Sequence, residues 1–373
     1  MSLVLKSNNV ATASLGNING LPSQDYALFL DFENNEYIKK VGGEKFKLSE
    51  SSVLTSTSNK NLASNPMTMD RFGNKSVVTA QDQLRFWGAN GRYGLLVEAE
   101  QNNWFLNSAA PVSQTIPNIP ASSTLVASCI GSGSITISGA GIDTITVTES
   151  TPKTITPIGQ AVSITLDVAV NGSLSHVQVV RVVGIPTLHT PITSGGTIRP
   201  SGSDNIEVNQ SLLSEIIASG AVTVLCQTVG LNYTLSTSAI NESRLIIDTD
   251  AHIAAISLNK KIDSVGMRLA SYATDGTPQI TPVVVNSKTY ENGQAITQVV
   301  QLSATGFKGA TNGGSLLTSS GAIGLQSIKK LLLASNIAAP VVVTGGNCIF
   351  TKLAIFNKAL TDAEILEYSK SWN

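Results

Sequence analysis

Charged residues are scarce in this chain. Asp, Glu, Lys and Arg make up only 13% of its 373 residues, about half of the usual share for a globular protein. The formal net charge is −1 and the basic residues are scattered, so the chain lacks the concentrated positive patch that nucleic-acid binding requires. Its polar surface must therefore come from Ser, Thr, Asn and Gln, a composition typical of extracellular β-structure.

Cysteine is also rare, and its spacing argues against the usual cysteine-based sites. The chain has three cysteines, Cys129, Cys226 and Cys348, with no CxxC pair among them. Neither a zinc site nor a disulfide framework is therefore predicted. Each cysteine lies in an apolar, strand-like context, where a free thiol behaves as a small buried apolar residue.

Long apolar runs are missing as well. No stretch of about 18 apolar residues occurs in the sequence, and no membrane-spanning helix is predicted. The apolar run Met1–Leu5 is too short for the core of a signal peptide. We expect a protein that is made in the cytoplasm and does not insert into a membrane.

The residue sets that carry hydrolytic chemistry have no recognisable context here. The sequence contains no G-x-S-x-G turn, and no pair of carboxylates or Ser/His/Asp set stands out, although hydrolysis would require one of them. We expect neither an enzyme nor a bound cofactor.

The first 93 residues are polar with isolated apolar residues. Within them, 49–65 consists almost wholly of Ser, Thr, Asn and Lys, which predicts an extended loop. The predicted strand Tyr26–Phe32 is the exception, and its region offers little core to bury it. We therefore interpret 1–93 as an anchoring segment whose apolar strand contacts a partner. The predicted interface residues are Leu28, Phe29, Leu30 and Phe32.

Further along, the sequence is typical of β-structure. Apolar and polar residues alternate with period two in several short segments. Asn171–Gly172 separates two of them, Val162–Val170 and Ser173–Val183, as a type I′ hairpin turn would. These strands predict a small sandwich spanning 94–190. The prolines and glycines of 191–208 then predict a linker.

The last part of the chain, 209–373, predicts a second and larger β-domain. A helix is expected over 209–219, because apolar pairs recur at helical spacing. Strands follow, and Asn292–Gly293 lies between two of them, 280–290 and 295–304. This Asn-Gly pair is the strongest hairpin signal in the chain. The predicted fold class is therefore all-β, with short helices.

The best-defined local signal lies at the C-terminus. The sequence TDAE at Thr361–Glu364 is a capping box. In such a box the threonine hydroxyl accepts an amide proton from the glutamate, whose carboxylate reaches back to the threonine amide. Leu360 and Ile365 flank it at the positions of a hydrophobic staple. A helix is predicted to begin here.

Two stretches resemble known protein families. GLLVEAEQNNWFLNS, at Gly94–Ser108, resembles a signature of many tailed-phage virion proteins, where it precedes a jelly-roll module like those that bind carbohydrate. FTKLAIFNKALTDAEILEYSKSW, at Phe350–Trp372, resembles the ending of laminin-G-like, concanavalin-type sandwiches. The resemblance implies an irregular N-terminal anchoring segment, a small jelly roll and a laminin-G-like sandwich, in a structural protein of a virion.

Ligand-binding residues are only weakly indicated. Asp275–Gly276 is a turn pair or a ligand-facing loop, and Tyr272 ends the strand before it. Tyr272 and Asp275 are therefore the ligand-binding candidates. Asp248, Asp250 and His252 alternate and would share one face of a strand. Calcium needs about six oxygen ligands, so we assign no metal site to them.

Two classes of function remain open. One is a fibre or spike protein, anchored to other virion proteins through 1–93 and forming a homo-oligomer, expected to be a trimer, that binds host surface polysaccharide. The other is a head-decoration or connector protein that uses its sandwiches as spacers. Aromatic residues are only 5% of the chain, which leaves few for stacking on sugars. Trp87 and Tyr93, beside the phage-type signature, fit either packing or binding.

Overall fold

The computed structural model describes most of the chain, and the described part consists mainly of β-strands. The all-β fold class is thereby confirmed. No helix in the described part is long and apolar enough to cross a membrane. The described residues are 21, 25–57, 60–89, 91–121, 123–157, 162–182, 190–200, 203–216, 220–230, 240–249, 252–260, 264–273, 277–289, 294–304, 306–320, 328–333, 347–370 and 372.

The strands run through the whole of the described chain. The first group comprises β1 Leu28–Asp31, β2 Glu36–Val41, β3 Glu44–Lys47, β4 Leu54–Ser56, β5 Met67–Met69, β6 Lys75–Val77, β7 Phe86–Ala89, β8 Arg92–Val97 and β9 Asn102–Asn103. The second comprises β10 Gln114–Pro120, β11 Thr124–Gly139, β12 Ile145–Thr148, β13 Lys153–Ile155, β14 Ser163–Val182 and β15 Arg199–Pro200. The third comprises β16 Ile206–Val208, β17 Ala221–Gly230, β18 Ile240–Thr249, β19 His252–Lys260, β20 Ser264–Ala273, β21 Pro278–Thr289, β22 Ala295–Ser303, β23 Gly306–Thr311, β24 Leu317–Ser320, β25 Ile328–Leu333 and β26 Cys348–Phe356.

Two sheets form the large sandwich. The first sheet has the order β24-β23-β22-β17-β26-β1-β2-β3, with β8 pairing with β26 and β7 with β8. The second sheet has the order β21-β20-β19-β18-β25-β16-β4. Both sheets contribute to one core, in which Leu353 of β26 and Leu245 of β18 are fully buried. The helices of the described residues are short: α1 Glu50–Val53, α2 Gln210–Ile216 and α3 Asp362–Lys370.

The predicted interface cluster is part of this sandwich, which corrects the sequence interpretation. Strand β1 lies between β26 and β2, with Leu28 opposite Ile355 on one side. Leu28, Leu30 and Phe32 join the shared core, and Phe29 packs 6.0 Å from the ring of Trp372 on the other face. All four predicted residues are fully buried, so none can meet a partner. Much of the core around them is supplied by residues far along the chain, such as Leu225.

The outer face of the first sheet is covered by α3. Ile365 and Tyr368 of this helix pack on Phe356 and its neighbours. The predicted capping box is confirmed: the Glu364 amide donates to Thr361 Oγ1 at 3.2 Å, and the Thr361 amide donates to Glu364 Oε2 at 2.7 Å. Leu360 and Ile365 are both buried. Local signals were sufficient here because every partner lies within one turn.

The small module is one sheet folded over on itself. Strands β11 and β14 pair antiparallel along their whole length, with a register shift between Ile130 and Gly131. On one side of the shift, β13 pairs with β11 and β9 pairs with β14. On the other side, β12 pairs with β11 and β10 pairs with β14. Both halves bury their apolar side chains in a common core. Gly131 has φ +122, and a Cβ there would lie 2.5 Å from the Ser173 carbonyl oxygen, so the bend requires glycine.

Neither predicted Asn-Gly hairpin forms as expected. Asn171–Gly172 lies inside β14, where Gly172 has φ +79 and approaches the Ser132 carbonyl oxygen at the fold of the sheet. Asn292–Gly293 lies outside the described residues, but the strands before and after it, β21 and β22, belong to different sheets. The helix expected over 209–219 is present as α2.

Candidate functional site

Of the two predicted ligand residues, only Tyr272 lies in the part of the chain that the structure describes. Tyr272 lies near the end of β20, partly buried, with its hydroxyl 3.4 Å from Arg268 Nη2 of the same strand. Asp275 lies outside the described residues, as does Asp250, while Asp248 lies in β18. Within the described residues no group of three or more His, Cys, Asp and Glu side chains could hold a metal ion.

The buried histidine and cysteines of the described residues are packed in the interior and are not accessible to a ligand. His176 is buried, and this burial lowers its pKa to about 4, so the imidazole is neutral near pH 7. Cys226 is fully enclosed, and burial raises the pKa of its thiol to about 12. The other two cysteines are also buried, and neither forms a disulfide. None of these groups is presented to a ligand.

The stretch Gly94–Ser108 contributes to a buried ionic network. Glu98 follows β8, Arg85 precedes β7, and Asp204 precedes β16. Arg85 Nη2 lies 2.8 Å from Glu98 Oε2 and also pairs with Asp204 Oδ2. Lys60 Nζ lies 3.3 Å from Asp204 Oδ1. Thr190 donates its amide and its hydroxyl to Glu98, at 2.7 and 2.6 Å.

The network balances its own charges in the interior. Two cations, Arg85 and Lys60, face two carboxylates, Glu98 and Asp204, and all four side chains are buried. Burial alone would raise the pKa of Asp204, but Arg85 and Lys60 hold it below its ordinary value. Burial opposes the charge on Arg85 too, yet Asp204 and Glu98 raise its pKa. Enclosed and mutually satisfied, these groups act structurally.

Asn103 gives the signature a second structural role. Its Oδ1 accepts hydrogen bonds from the amides of Phe105 and Val179, at 3.1 and 3.0 Å. Its Nδ2 donates to the Ile192 carbonyl at 2.7 Å. The side chain thus joins the small module to the predicted linker, and β15 of that linker pairs with β9. The polar part of the signature holds segments together and is not open to a ligand.

An open groove lies on the small module, beside β12 and β13. It has a volume of about 450 Å³ and is lined by Gly141, Ile142, Asp143, Ile145, Thr154, Ile155 and Thr156. Ile155 is part of the module core, and Ile142 and Ile145 pack against that core. The turn before β12 is closed by the Ile142 amide, which donates to the Gly139 carbonyl at 3.4 Å. The groove therefore has a fixed apolar floor.

Polar groups border this floor. The side chains of Asp143 and Thr156 are exposed, and they supply a carboxylate acceptor and a hydroxyl. An apolar surface with a few polar groups and a volume of several hundred Å³ is typical of small-molecule sites. A carboxylate and a hydroxyl can hydrogen-bond a ligand rich in hydroxyl groups. No sequence motif indicates the groove, because its residues come from the turn before β12, from β12 and from the region of β13.

A second, more polar groove crosses the end of the first sheet. It has a volume of about 310 Å³ and is lined by residues of β22, β23 and β24. One of its side chains, Lys308, is engaged with Asp362 at 2.6 Å. Another, Gln301, accepts the Leu360 amide at 2.6 Å. Lys308 and Gln301 thus make contacts that hold α3 and Leu360 just before it.

Comparisons with known proteins find no matching family model and no matching curated protein. Among solved structures, the CBM40 domain of a Ruminococcus gnavus IT-sialidase, bound to alpha2,6 sialyllactose, is 11% identical with a TM-score of 0.30; the match covers 42% of this chain and 87% of that one.

Two further structures are similar at the same level. The NanB sialidase of Streptococcus pneumoniae is 13% identical with a TM-score of 0.33, covering 49% of this chain and 27% of that one. Domain 4 of AbnA, an extracellular arabinanase from Geobacillus stearothermophilus in complex with arabinotriose, is 13% identical with a TM-score of 0.28, covering 45% and 73%. TM-scores this low carry no argument about ligand or activity.

Proposed function

We propose that this chain is a structural protein of a tailed-phage virion that binds host surface glycans through the groove of its small module. The observation that carries the binding proposal is the groove itself, with its isoleucine floor and the exposed Asp143 and Thr156 at its border. Sugar rings present C–H faces and hydroxyl groups, and this groove offers a complement to both.

The Asp143 carboxylate limits which glycans the groove can bind. Asp143 accepts hydrogen bonds from hydroxyl or amide groups, whereas it repels an anionic sugar. Neutral hexoses and N-acetylated sugars therefore fit the groove better than acidic ones. Binding of this kind needs no catalytic group, in keeping with the expectation that the protein is not an enzyme.

The virion location rests on the sequence resemblance. The signature Gly94–Ser108 and the C-terminal ending are the two stretches that carry it. A fibre or spike, anchored through 1–93, would display the groove to the host. The apolar strand of that segment is buried, so an anchoring surface would have to be formed by its exposed residues. Association into a trimer stays a prediction, with no interface assigned.

Glycan binding is tested on the intact protein with a neutral oligosaccharide array, followed by calorimetry on the oligosaccharides that bind. Asp143→Asn and Thr156→Val should each weaken binding, Asp143→Asn by about tenfold or more, the size of one hydrogen bond to a charged group. Glu100→Gln, which removes an exposed carboxylate elsewhere, is the matched control. Equal affinity in all four proteins would exclude the groove.

The alternative, a non-adhesive decoration or connector protein, is favoured by a different observation. The buried ion pairs of Arg85 with Glu98 and Asp204 join three segments of the chain, as a structural spacer requires. Immunogold labelling of purified particles would locate the protein on head, tail or fibre. An absence of oligosaccharide binding, together with labelling on the head, would support the spacer role.

A further inference from the structure

A second surface, distant in sequence from the groove residues, combines an aromatic ring with a cation. Trp87 of β7 packs against Leu96 and Ile349, which are both fully buried. The indole itself remains partly exposed. Lys75 of β6 extends over this ring, with its Nζ 5.5 Å from the ring centroid. Trp87 is therefore an aromatic platform: core residues support its indole, and the Lys75 ammonium lies over the ring.

The ammonium is held over the ring by a hairpin that is fixed at two points. Thr68 of β5 accepts the Phe86 amide at 2.9 Å and donates to the Phe86 carbonyl at 3.3 Å. The Tyr93 hydroxyl donates to the Met69 carbonyl at 2.9 Å. Because β5 pairs with β6, these bonds fix the backbone of Lys75 relative to Trp87. The lysine side chain therefore starts from a fixed point beside the ring, within reach of a ligand that stacks there.

The tip of the same hairpin is a hydrogen-bonded turn that exposes one aromatic side chain. The Asp70 carboxylate accepts the amides of Phe72 and Asn74, at 2.8 and 2.9 Å, and the Asn74 side-chain amide at 2.8 Å. This ordered loop nevertheless leaves Phe72 84% exposed. The hairpin thus presents a second aromatic ring to solvent, and a rigid exposed ring loses little entropy on binding.

The charges around the platform favour an anion. Lys75 is exposed and forms no ion pair with a carboxylate of the described residues. Arg92 is paired with Glu33, 3.1 Å away, and Arg71 donates to the Glu33 carbonyl. Asp70 already accepts three hydrogen bonds within its loop. Lys75 is accordingly the cation of this surface that remains available to a ligand.

We propose that Trp87 and Lys75 form a binding site for carboxylated sugars, such as the uronic-acid units of a polysaccharide. The C–H face of a pyranose ring stacks on the part of the indole that Lys75 leaves exposed, and the carboxylate of the same sugar pairs with the ammonium beside it. A neutral sugar would leave the ammonium on the ring with no anion to bind. This site is independent of the groove, whose Asp143 disfavours the same ligand.

The test uses the intact protein with tetragalacturonate and its full methyl ester, in which a methyl group replaces the negative charge of each carboxylate. Tetragalacturonate should bind more tightly than the ester, by calorimetry at low salt. Lys75→Met should weaken binding of the acid about fivefold, the size of one exposed ion pair, and leave the ester unaffected. Lys75→Arg should retain affinity for the acid.

Two further variants separate the contribution of the Trp87 indole from that of the Lys75 charge. Trp87→Leu keeps an apolar side chain over Leu96 and Ile349 and removes the aromatic face, so it should weaken both acid and ester. Lys47→Met, at an exposed lysine of β3, should change neither. Equal affinity for acid and ester, unchanged binding in Lys75→Met, or no binding of tetragalacturonate at millimolar concentration would each overturn the proposal.

Discussion

Arg85 and Asp204 stand 119 positions apart in the sequence and meet in the interior as a two-pronged pair, with Arg85 Nε 3.2 Å from Asp204 Oδ1 and Nη2 bonded to Oδ2. Asp204 also accepts the Glu98 amide at 3.0 Å. Its carboxylate thereby joins three segments of the chain that no local sequence signal connects.

Asp204→Asn should destabilise the protein by about 3–5 kcal/mol, because it leaves Arg85 and Lys60 buried with a single carboxylate between them. Urea denaturation measures the change. Glu367→Gln is the control, since it breaks an exposed pair with Lys370 and should cost less than about 1 kcal/mol. Similar midpoints for the two variants would show that the buried network contributes no more than a surface pair.

The same carboxylate predicts a dependence of stability on pH. Arg85 and Lys60 hold the pKa of Asp204 below its ordinary value, against the opposing effect of burial. A carboxylate with a lowered folded-state pKa stabilises the protein above its unfolded pKa of about 4, and this contribution is lost as the pH falls through the folded-state pKa. Denaturation midpoints from about pH 2 to 6 should fall less steeply in Asp204→Asn than in the native chain. Parallel curves would contradict this assignment.

The C-terminal helix depends on its capping box. Thr361→Ala removes the acceptor of the Glu364 amide and should cost about 0.5–2 kcal/mol. Leu360→Ser should add to this loss, because Leu360 is buried beneath the helix. Thermal denaturation provides the measurement, with Thr318→Ala at an exposed strand position as the control. Unchanged midpoints in both variants would mean that the cap does not stabilise α3.

Local signals of this kind could be read from the sequence, whereas long-range ones could not. The capping box was predicted because Thr361 and Glu364 are three residues apart. Asn171–Gly172 has the sequence of a hairpin turn, but pairing with the strand around Ser132 overrides it and leaves a bend. Turn propensity alone does not report whether a neighbouring strand continues past the glycine.

The burial of Leu28 and the position of Asp143 show the same limit. Leu28 seemed to lack a core because its partner, Ile355, is supplied by the far end of the chain. No sequence signal singles out Asp143, because the second wall of its groove comes from β13. The sequence leaves Trp87 open between packing and binding, and in the structure the indole packs against Leu96 and Ile349 and is partly exposed.

Deleting residues 1–93 should abolish folding of the large sandwich. The deletion removes β1, which pairs with β26 and buries Leu28 and Phe29 on opposite faces of the first sheet. It therefore exposes an unpaired edge and two apolar surfaces. Light scattering and circular dichroism should show aggregation or loss of structure relative to the intact chain. A soluble, folded monomer would show that β1 is dispensable.

Gly94, the first residue of the phage-type signature, should tolerate no side chain. It lies in β8 opposite Trp87, and a Cβ there would lie 2.1 Å from the Phe350 carbonyl oxygen and 2.9 Å from Ile349 Cγ2. Gly94→Ala must push β8 away from β26, at a cost of about 1–3 kcal/mol or more. Gly220→Ala is the control, because nothing lies within 4 Å of its Cβ position. Urea denaturation should separate the two variants. If Gly94→Ala is as stable as Gly220→Ala, then β8 is not held against β26 at this point, and the backing of the Trp87 platform by Ile349 fails with it.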